Sequence, residues 1–207
     1  PLESLKAFGL KSDMAVMEIS PAAGYWTEIL APLLKDKGRY IAANARPQPP
    51  MEEKKTKDPA NFGKLEVATF GMTAEAPPPV PAGSLDMVLT FRNLHNWMMG
   101  GQEKQMLNMM LVALKPGGYL GIKDHRGDAT KEQDPKGSTG YVREDYAIKL
   151  IESAGFKFVS KSEANANPKD TKDYPKGVWT LPPNFREGEV DKAKFTAIGE
   201  SDRFTLL

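Results

Sequence analysis

The stretch MAVMEISPAAGYWTEILAPLL, residues 14–34, decides how this chain is read. Residues 14–19 form an apolar run broken by Glu18, short enough for a strand buried on both faces. Small residues, proline and glycine crowd 20–24, and from Tyr25 the apolar positions recur at helical spacing as far as Leu34. Gly38 is placed to end the turn that follows. Strand, tight turn and helix in this order open an α/β unit, and the free N–H groups of the helix point toward whatever lies above the turn.

The same alternation continues outward. Residues 39–43, 65–70, 85–91, 119–123 and 156–160 read as further strands, and 203–207 as a last strand added late to the sheet. Residues 102–114 and 143–154 read as helices, the first closed by Lys115-Pro116-Gly117-Gly118 and the second stopped by Gly155. A βαβ order throughout predicts an open, mostly parallel sheet with covering helices, in one domain over 1–207. Residues 47–61, rich in charge and proline, and 74–83, with Pro77, Pro78, Pro79 and Pro81, read as solvated loops. Residues 165–200 read as an irregular cover or insertion before the last strand, because loops this long are functional covers or linkers more often than plain connections.

Composition narrows the function classes. The 28 Lys and Arg nearly cancel the 27 Asp and Glu, so the basic footprint of a nucleic-acid binder is missing and a small-molecule ligand is expected. No apolar run reaches the length of a membrane span. With no cysteine, disulfides, thiolate metal sites and thiol catalysis are excluded. The start at Pro1 fits signal cleavage, proteolysis and trimming alike.

In an open parallel sheet, ligands bind beyond the carboxyl ends of the strands, where strand order reverses. The fourth predicted strand ends in Phe91-Arg92-Asn93-Leu94-His95-Asn96-Trp97 and the fifth in Lys123-Asp124-His125-Arg126-Gly127. Both histidines of the chain fall at these adjacent ends, which points to a shared cleft. There His95 or His125 would serve as general base, Asp124 would orient an imidazole, and Arg92 or Arg126 would hold an anionic group. No metal is expected, since the tight pairing of a metal motif such as HExxH is missing. Arg143, Glu144 and Asp145 read first as the charged opening of a helix, with Tyr141 and Arg143 kept as candidates for an acceptor pocket. Residues 200–203 read as a turn locking the last strand, and Met106, Met109 and Met110 as core filler.

Several segments carry a resemblance. EISPAAGYWTEILAP (18–32), LTFRNLHNW (89–97), LKPGGYLGIKDHR (114–126), GYVRED (140–145), VWTLPP (178–183) and AIGESDR (197–203) resemble class I S-adenosylmethionine-dependent methyltransferases, and within them a small bacterial group of predicted methyltransferases. The resemblance implies an α/β, Rossmann-like seven-stranded sheet, mostly parallel, with helices on both faces and the last strand antiparallel. It implies S-adenosylmethionine as cofactor, lying over the first turn, and methyl transfer to a small-molecule acceptor. Contacts to the cofactor are then expected from Glu18, Ser20, Ala22, Gly24, Tyr25, Asn44, Arg92 and Asn93. His95, His125 and Asp124 would be catalytic, and Asn96, Trp97, Arg126, Tyr141 and Arg143 would face the acceptor. Members of the narrower group often carry export signals, which implies a periplasmic protein, the cytoplasm being the alternative; a homo-oligomer also stays open.

The chain departs from the superfamily pattern at three places. Its first motif resembles E/D-x-G-x-G-x-G, and with Glu18 at the acid, Ser20, Ala22 and Gly24 occupy the glycine positions. Asn44 stands where an acid grips the ribose, and Phe70-Gly71-Met72 where an acid meets the adenine amino group. Two alternatives follow. The fold has lost S-adenosylmethionine and uses the cleft for another ligand or reaction, or it is a binding protein in which Trp26, Trp97 and Trp179 serve packing or interfaces.

Overall fold

The computed structural model describes residues 1–73 and 76–207. In chain order the elements are α1 (Leu2–Ala7), β1 (Ala15–Ile19), α2 (Thr27–Leu34), β2 (Arg39–Asn44), α3 (Pro49–Lys57), α4 (Pro59–Phe62), β3 (Glu66–Thr69) and β4 (Leu85–Phe91). They continue with α5 (Leu94–Gly100), α6 (Glu103–Ala113), β5 (Leu114–His125), α7 (Glu144–Ser153), β6 (Lys161–Ser162), α8 (Lys192–Ile198) and β7 (Arg203–Leu206). The seven strands form one sheet in the order β3-β2-β1-β4-β5-β7-β6. All neighbours run parallel except β7, which is antiparallel to both β5 and β6.

Alternation of side chains along each strand divides the core between the two faces. Met17, Ile19, Ile41, Val88, Ile122 and Phe204 pack with α5, α6 and α7 on one face. Val16, Tyr40, Ala42, Met87 and Leu89 pack with α1 to α4 on the other. Because central strands are buried on both sides, β1 is a nearly unbroken apolar run, as its sequence predicts. β1 pairs with β2 on one side and with β4 on the other, so the chain reverses its direction of travel there and a crevice opens at the carboxyl ends.

The structure corrects four sequence expectations. Residues 47–61 are not a loop: Pro49 and Pro50 occupy the first turn of α3, where a missing N–H costs nothing, and Met51 is fully buried. Strand β6 lies at Lys161–Ser162 rather than 156–160, where Phe158 and Val159 are exposed; only Val159 and Ser160 bond to Leu207 from that stretch. Lys115 to Gly118 do not stop before a strand but form a bulge inside β5, between the pairs Leu85↔Leu114 and Met87↔Tyr119. Finally, β3 and β4 are joined without a helix among the described residues, the prolines after Ala76 keeping that connection irregular; residues 74 and 75 of the predicted loop lie outside the described residues.

Residues 165–200 form a cover over the crevice and contain a 3₁₀ turn, Gly177–Thr180, and α8. Specific anchors hold it down. Val178 N donates to Thr139 O at 2.9 Å, and Tyr141 Oη donates to the buried Asp170 carboxylate at 3.0 Å. Asp170 also accepts from Asp202 N at 2.7 Å, tying the cover to the approach to β7. At Gly177, with φ 57°, an added Cβ would stand 2.2 Å from the Thr139 carbonyl oxygen. Gly188 has a similar φ of 65° and open space around it. Gly177→Ala is therefore expected to cost ~2 kcal/mol more than Gly188→Ala in urea unfolding, since both bear the backbone strain and only the first bears the clash. Equal losses would show that the cover is not pinned at Thr139.

Candidate functional site

A cleft of about 410 Å³ lies over the carboxyl ends of β1, β4 and β5, beneath the cover. One wall is the turn after β1. Ser20, Ala22 and Gly24 have φ of 55°, 50° and 85°. All three are left-handed, the conformation glycine adopts freely and a side chain adopts at a cost on the order of 1 kcal/mol. Two of the three are not glycine, yet the backbone follows the left-handed path that glycine adopts most easily. The close approach at Gly24 is taken by Met51 of α3: an added Cβ would meet its Cε at 2.8 Å. The turn is thus sealed on its α3 side and open over Ser20, Ala22 and Trp26, which line the cleft.

At the floor, Glu18 is buried and accepts a hydrogen bond from Tyr40 Oη, which is 2.9 Å from Thr27 Oγ1. Burial pushes the Glu18 carboxyl up to about 8, against the smaller opposing effect of the Tyr40 bond. Asn93 spans the crevice, its Nδ2 donating to Ile19 O at 3.1 Å and to Thr90 Oγ1 at 3.0 Å, so it ties the end of β1 to the end of β4. Asn44, at the end of β2, is buried with its Nδ2 lacking an acceptor among the described residues. It does not line the cleft.

The opposite wall holds both histidines. Asp124 is fully buried at the end of β5, its Oδ1 accepting from His125 N at 2.8 Å and its Oδ2 from His95 N at 3.1 Å. His95 Nδ1 lies 2.8 Å from Asp124 Oδ1. Burial alone would raise the Asp124 pKa, but the nearby His95 and these hydrogen bonds outweigh it and hold the carboxyl below its ordinary value. An ionised carboxylate accepts, which assigns the proton to Nδ1 of His95 and leaves Nε2 with its lone pair. His125 Nδ1 is 2.6 Å from Ser201 Oγ. Burial, opposed by Asp124 and reinforced by His95, pulls His125 down to about 3, so it stays neutral. The two rings are 5.2 Å apart, and one ligand atom from each of His95, Asp124 and His125 lies within 4.8 Å of the others, close enough to reach a single ion.

Of the sequence candidates, Glu18, Ser20, Ala22, Tyr25, Arg92, Asn93, His95, Asn96 and His125 line one cleft, with Asp124 directly behind His95. The others are placed elsewhere. Gly24 is capped by Met51, and Trp97 is buried in the core against α6. Arg126 is turned into ion pairs with Glu144, Glu163 and Asp202. Tyr141 is spent on Asp170, and Arg143 reaches Asp145 and the Lys131 carbonyl. Sequence reasoning passed over Trp26, Trp179, Ser201 and Arg203, all of which line the cleft. The last two lie in the AIGESDR segment, which carried the resemblance but whose residues 200–203 read locally as a turn.

No protein-family model matches the chain, and no curated protein matches it in sequence. Solved structures do. A SAM-dependent methyltransferase from Aquifex aeolicus is 23% identical with a TM-score of 0.64, over 79% of this chain and 82% of that one. The cyclase SpnF is 13% identical with a TM-score of 0.65, over 99% and 77%. A Burkholderia thailandensis 1,6-didemethyltoxoflavin-N1-methyltransferase, with its acceptor and S-adenosylhomocysteine bound, is 12% identical with a TM-score of 0.58, over 99% and 73%. These likenesses show the Rossmann-like methyltransferase fold.

The two shifted groups predict stability slopes of opposite sign. Between 4.5 and about 8 the unfolded chain releases a proton that folded Glu18 keeps, so Glu18 removes stability as pH rises. Between 6.5 and about 3 the unfolded chain takes up a proton that folded His125 refuses, so His125 removes stability as pH falls. Of these two groups only Glu18 acts above 6.5, and Glu18→Gln is expected to gain stability relative to the parent as pH rises toward about 8. Parallel urea-midpoint profiles for parent and variant would refute a neutral Glu18.

Proposed function

We propose that the chain transfers a methyl group from S-adenosylmethionine to a small-molecule acceptor, with His95 as general base. The observation that carries this reading is the left-handed backbone kept at 20, 22 and 24, which bears strain in two non-glycine residues beside an open cleft. Strain of this kind persists at functional sites, where the surrounding structure enforces it.

The residues that would hold the donor are those of the Ser20–Ala23 turn, with Glu18 neutral beneath. S-Adenosylmethionine supplies an activated methyl group on sulfonium, so the protein's task is chiefly alignment and removal of one proton. His95 Nε2 takes that proton from the acceptor oxygen or nitrogen, and Asp124 holds the ring in the right tautomer and steadies the imidazolium. His125, neutral throughout, cannot take this part but its ring faces the same space. Trp179 of the cover stands edge-on to His95 at 6.0 Å.

One observation favours a second reading, a fold that has given up S-adenosylmethionine for another reaction in the same cleft. Met51 occupies the approach at Gly24, and the fold is shared with a cyclase. Thermal-shift titration separates the two readings. Saturating S-adenosylhomocysteine is expected to raise Tm by ~5 °C, as a ligand bound only by the folded state must. His95→Gln is expected to keep that shift while lowering methyl transfer by about 10²-fold or more. No shift with millimolar ligand would overturn the methyl-transfer reading.

A further inference from the structure

Positive charge gathers at the β5–β7 end of the cleft without matching negative charge. Arg203 lines the cleft at 7% exposure; its Nη1 donates to Glu200 at 2.8 Å, and its Nε has no acceptor among the described residues. Arg92 lines the same cleft from the end of β4, in a left-handed turn with φ 60° where its N–H donates to Lys123 O at 2.7 Å. Its guanidinium forms no ion pair among the described residues. Lys123, 6% exposed, lies next to the cleft wall with Nζ 4.7 Å from the Trp26 ring and 5.6 Å from that of Phe91. Burial and then the proximity of Arg203 pull it down to about 8.

The nearby acids do not balance these three cations. Glu200 is the one paired there, and its side chain is 62% exposed. Glu18 keeps its proton, Asp124 is committed to His95, and Asp202 turns to Lys172 at 2.8 Å. A buried cation short of acceptors, as Arg203 is, is costly unless a partner arrives, and a ligand oxyanion is such a partner; the exposed Arg92 adds a guanidinium, unpaired among the described residues, at the same end. The rest of the lining mixes polar side chains, among them Asn93, His95, Asn96 and His125, with large aromatic ones. Trp26 and Phe91 stack at 4.0 Å with planes 13° apart, and Trp179 closes the far side.

We propose that the cleft takes an aromatic carboxylate, its ring among Trp26, Phe91 and Trp179 and its carboxylate on Arg92 and Arg203. Calling that ligand the methyl acceptor rests on the methyl-transfer reading; the binding itself does not. A carboxylate could also come from the methyl donor's own amino-acid end. The two sources differ in place: the donor lies over the Ser20–Gly24 turn, whereas Arg203 stands across the cleft beside His125, with which it pairs in the β5–β7 ladder. The carboxylate at Arg203 therefore stands away from the turn.

The test is calorimetric titration of the full chain with 4-hydroxybenzoate and its neutral isostere 4-hydroxybenzamide, with no methyl donor present. The acid is expected to bind at least ~10-fold more tightly than the amide, charge-assisted hydrogen bonds being about twice as strong as neutral ones. Arg203→Met and Arg92→Gln are each expected to cut that ratio about fivefold or more, and Arg92, on the surface, keeps the test open if Arg203→Met fails to fold. S-Adenosylhomocysteine is expected to bind alongside the acid. Equal binding of acid and amide, an unchanged ratio in the folded variants, or displacement of the acid by S-adenosylhomocysteine would each overturn the proposal. Failure of S-adenosylhomocysteine to bind at all would instead strike the methyl-transfer reading and leave the acid-to-amide ratio standing.

Discussion

The buried carboxylate of Asp124 is the constraint on which the site is built. An ionised carboxylate with no access to water is tolerable only when hydrogen-bonded throughout, and here the donors are the backbone N–H groups of His95 and His125 and the ring of His95. Meeting that demand fixes the first turn of α5 against the end of β5. It also fixes which nitrogen of His95 carries the proton. The same contacts that satisfy Asp124 leave His95 Nε2 with its lone pair, the atom that the proposed methyl transfer would use.

A second demand comes from the β1–β4 junction. The register of β1 with β4 ends at Ile19↔Thr90, and Asn93 ties that last pair together by donating to Ile19 O and Thr90 Oγ1. The turn that follows β1 then has to leave sharply, which it does through left-handed residues at 20, 22 and 24. Glycine would adopt this conformation without strain. Here the pairing of Ser20 N with Ala43 O and of Gly24 N with Pro21 O, both at 2.8 Å, holds the path instead.

The central strands and the long helices were legible because their signal is local: β1, β2, β4 and α6 each carry a periodicity that burial demands. Where tertiary context decided, the reading slipped. Residues 49–57 looked like a solvated loop because their charges and prolines were weighed without Met51, the single side chain that α3 turns inward. The cleft was legible in outline, since both histidines sit at adjacent strand ends. Its arginines were not: Arg126 and Arg203 are equally basic in sequence, and only the ion pairs to Glu144, Glu163 and Asp202 send the first away from the cleft while register with His125 brings the second in. Tyr141 and Asp170, far apart in sequence, meet to anchor the cover, a contact no spacing announces.

The tautomer of His95 is the point at which packing becomes chemistry, and long-range ¹H–¹⁵N NMR of the two histidines reads it directly. Near neutral pH, His95 is expected to show a protonated Nδ1, with its proton shifted downfield by the Asp124 bond, and an unprotonated Nε2; Asp124→Asn is expected to remove that downfield proton. A protonated Nε2 with a bare Nδ1 in the parent protein would contradict the account, since no base would then face the cleft.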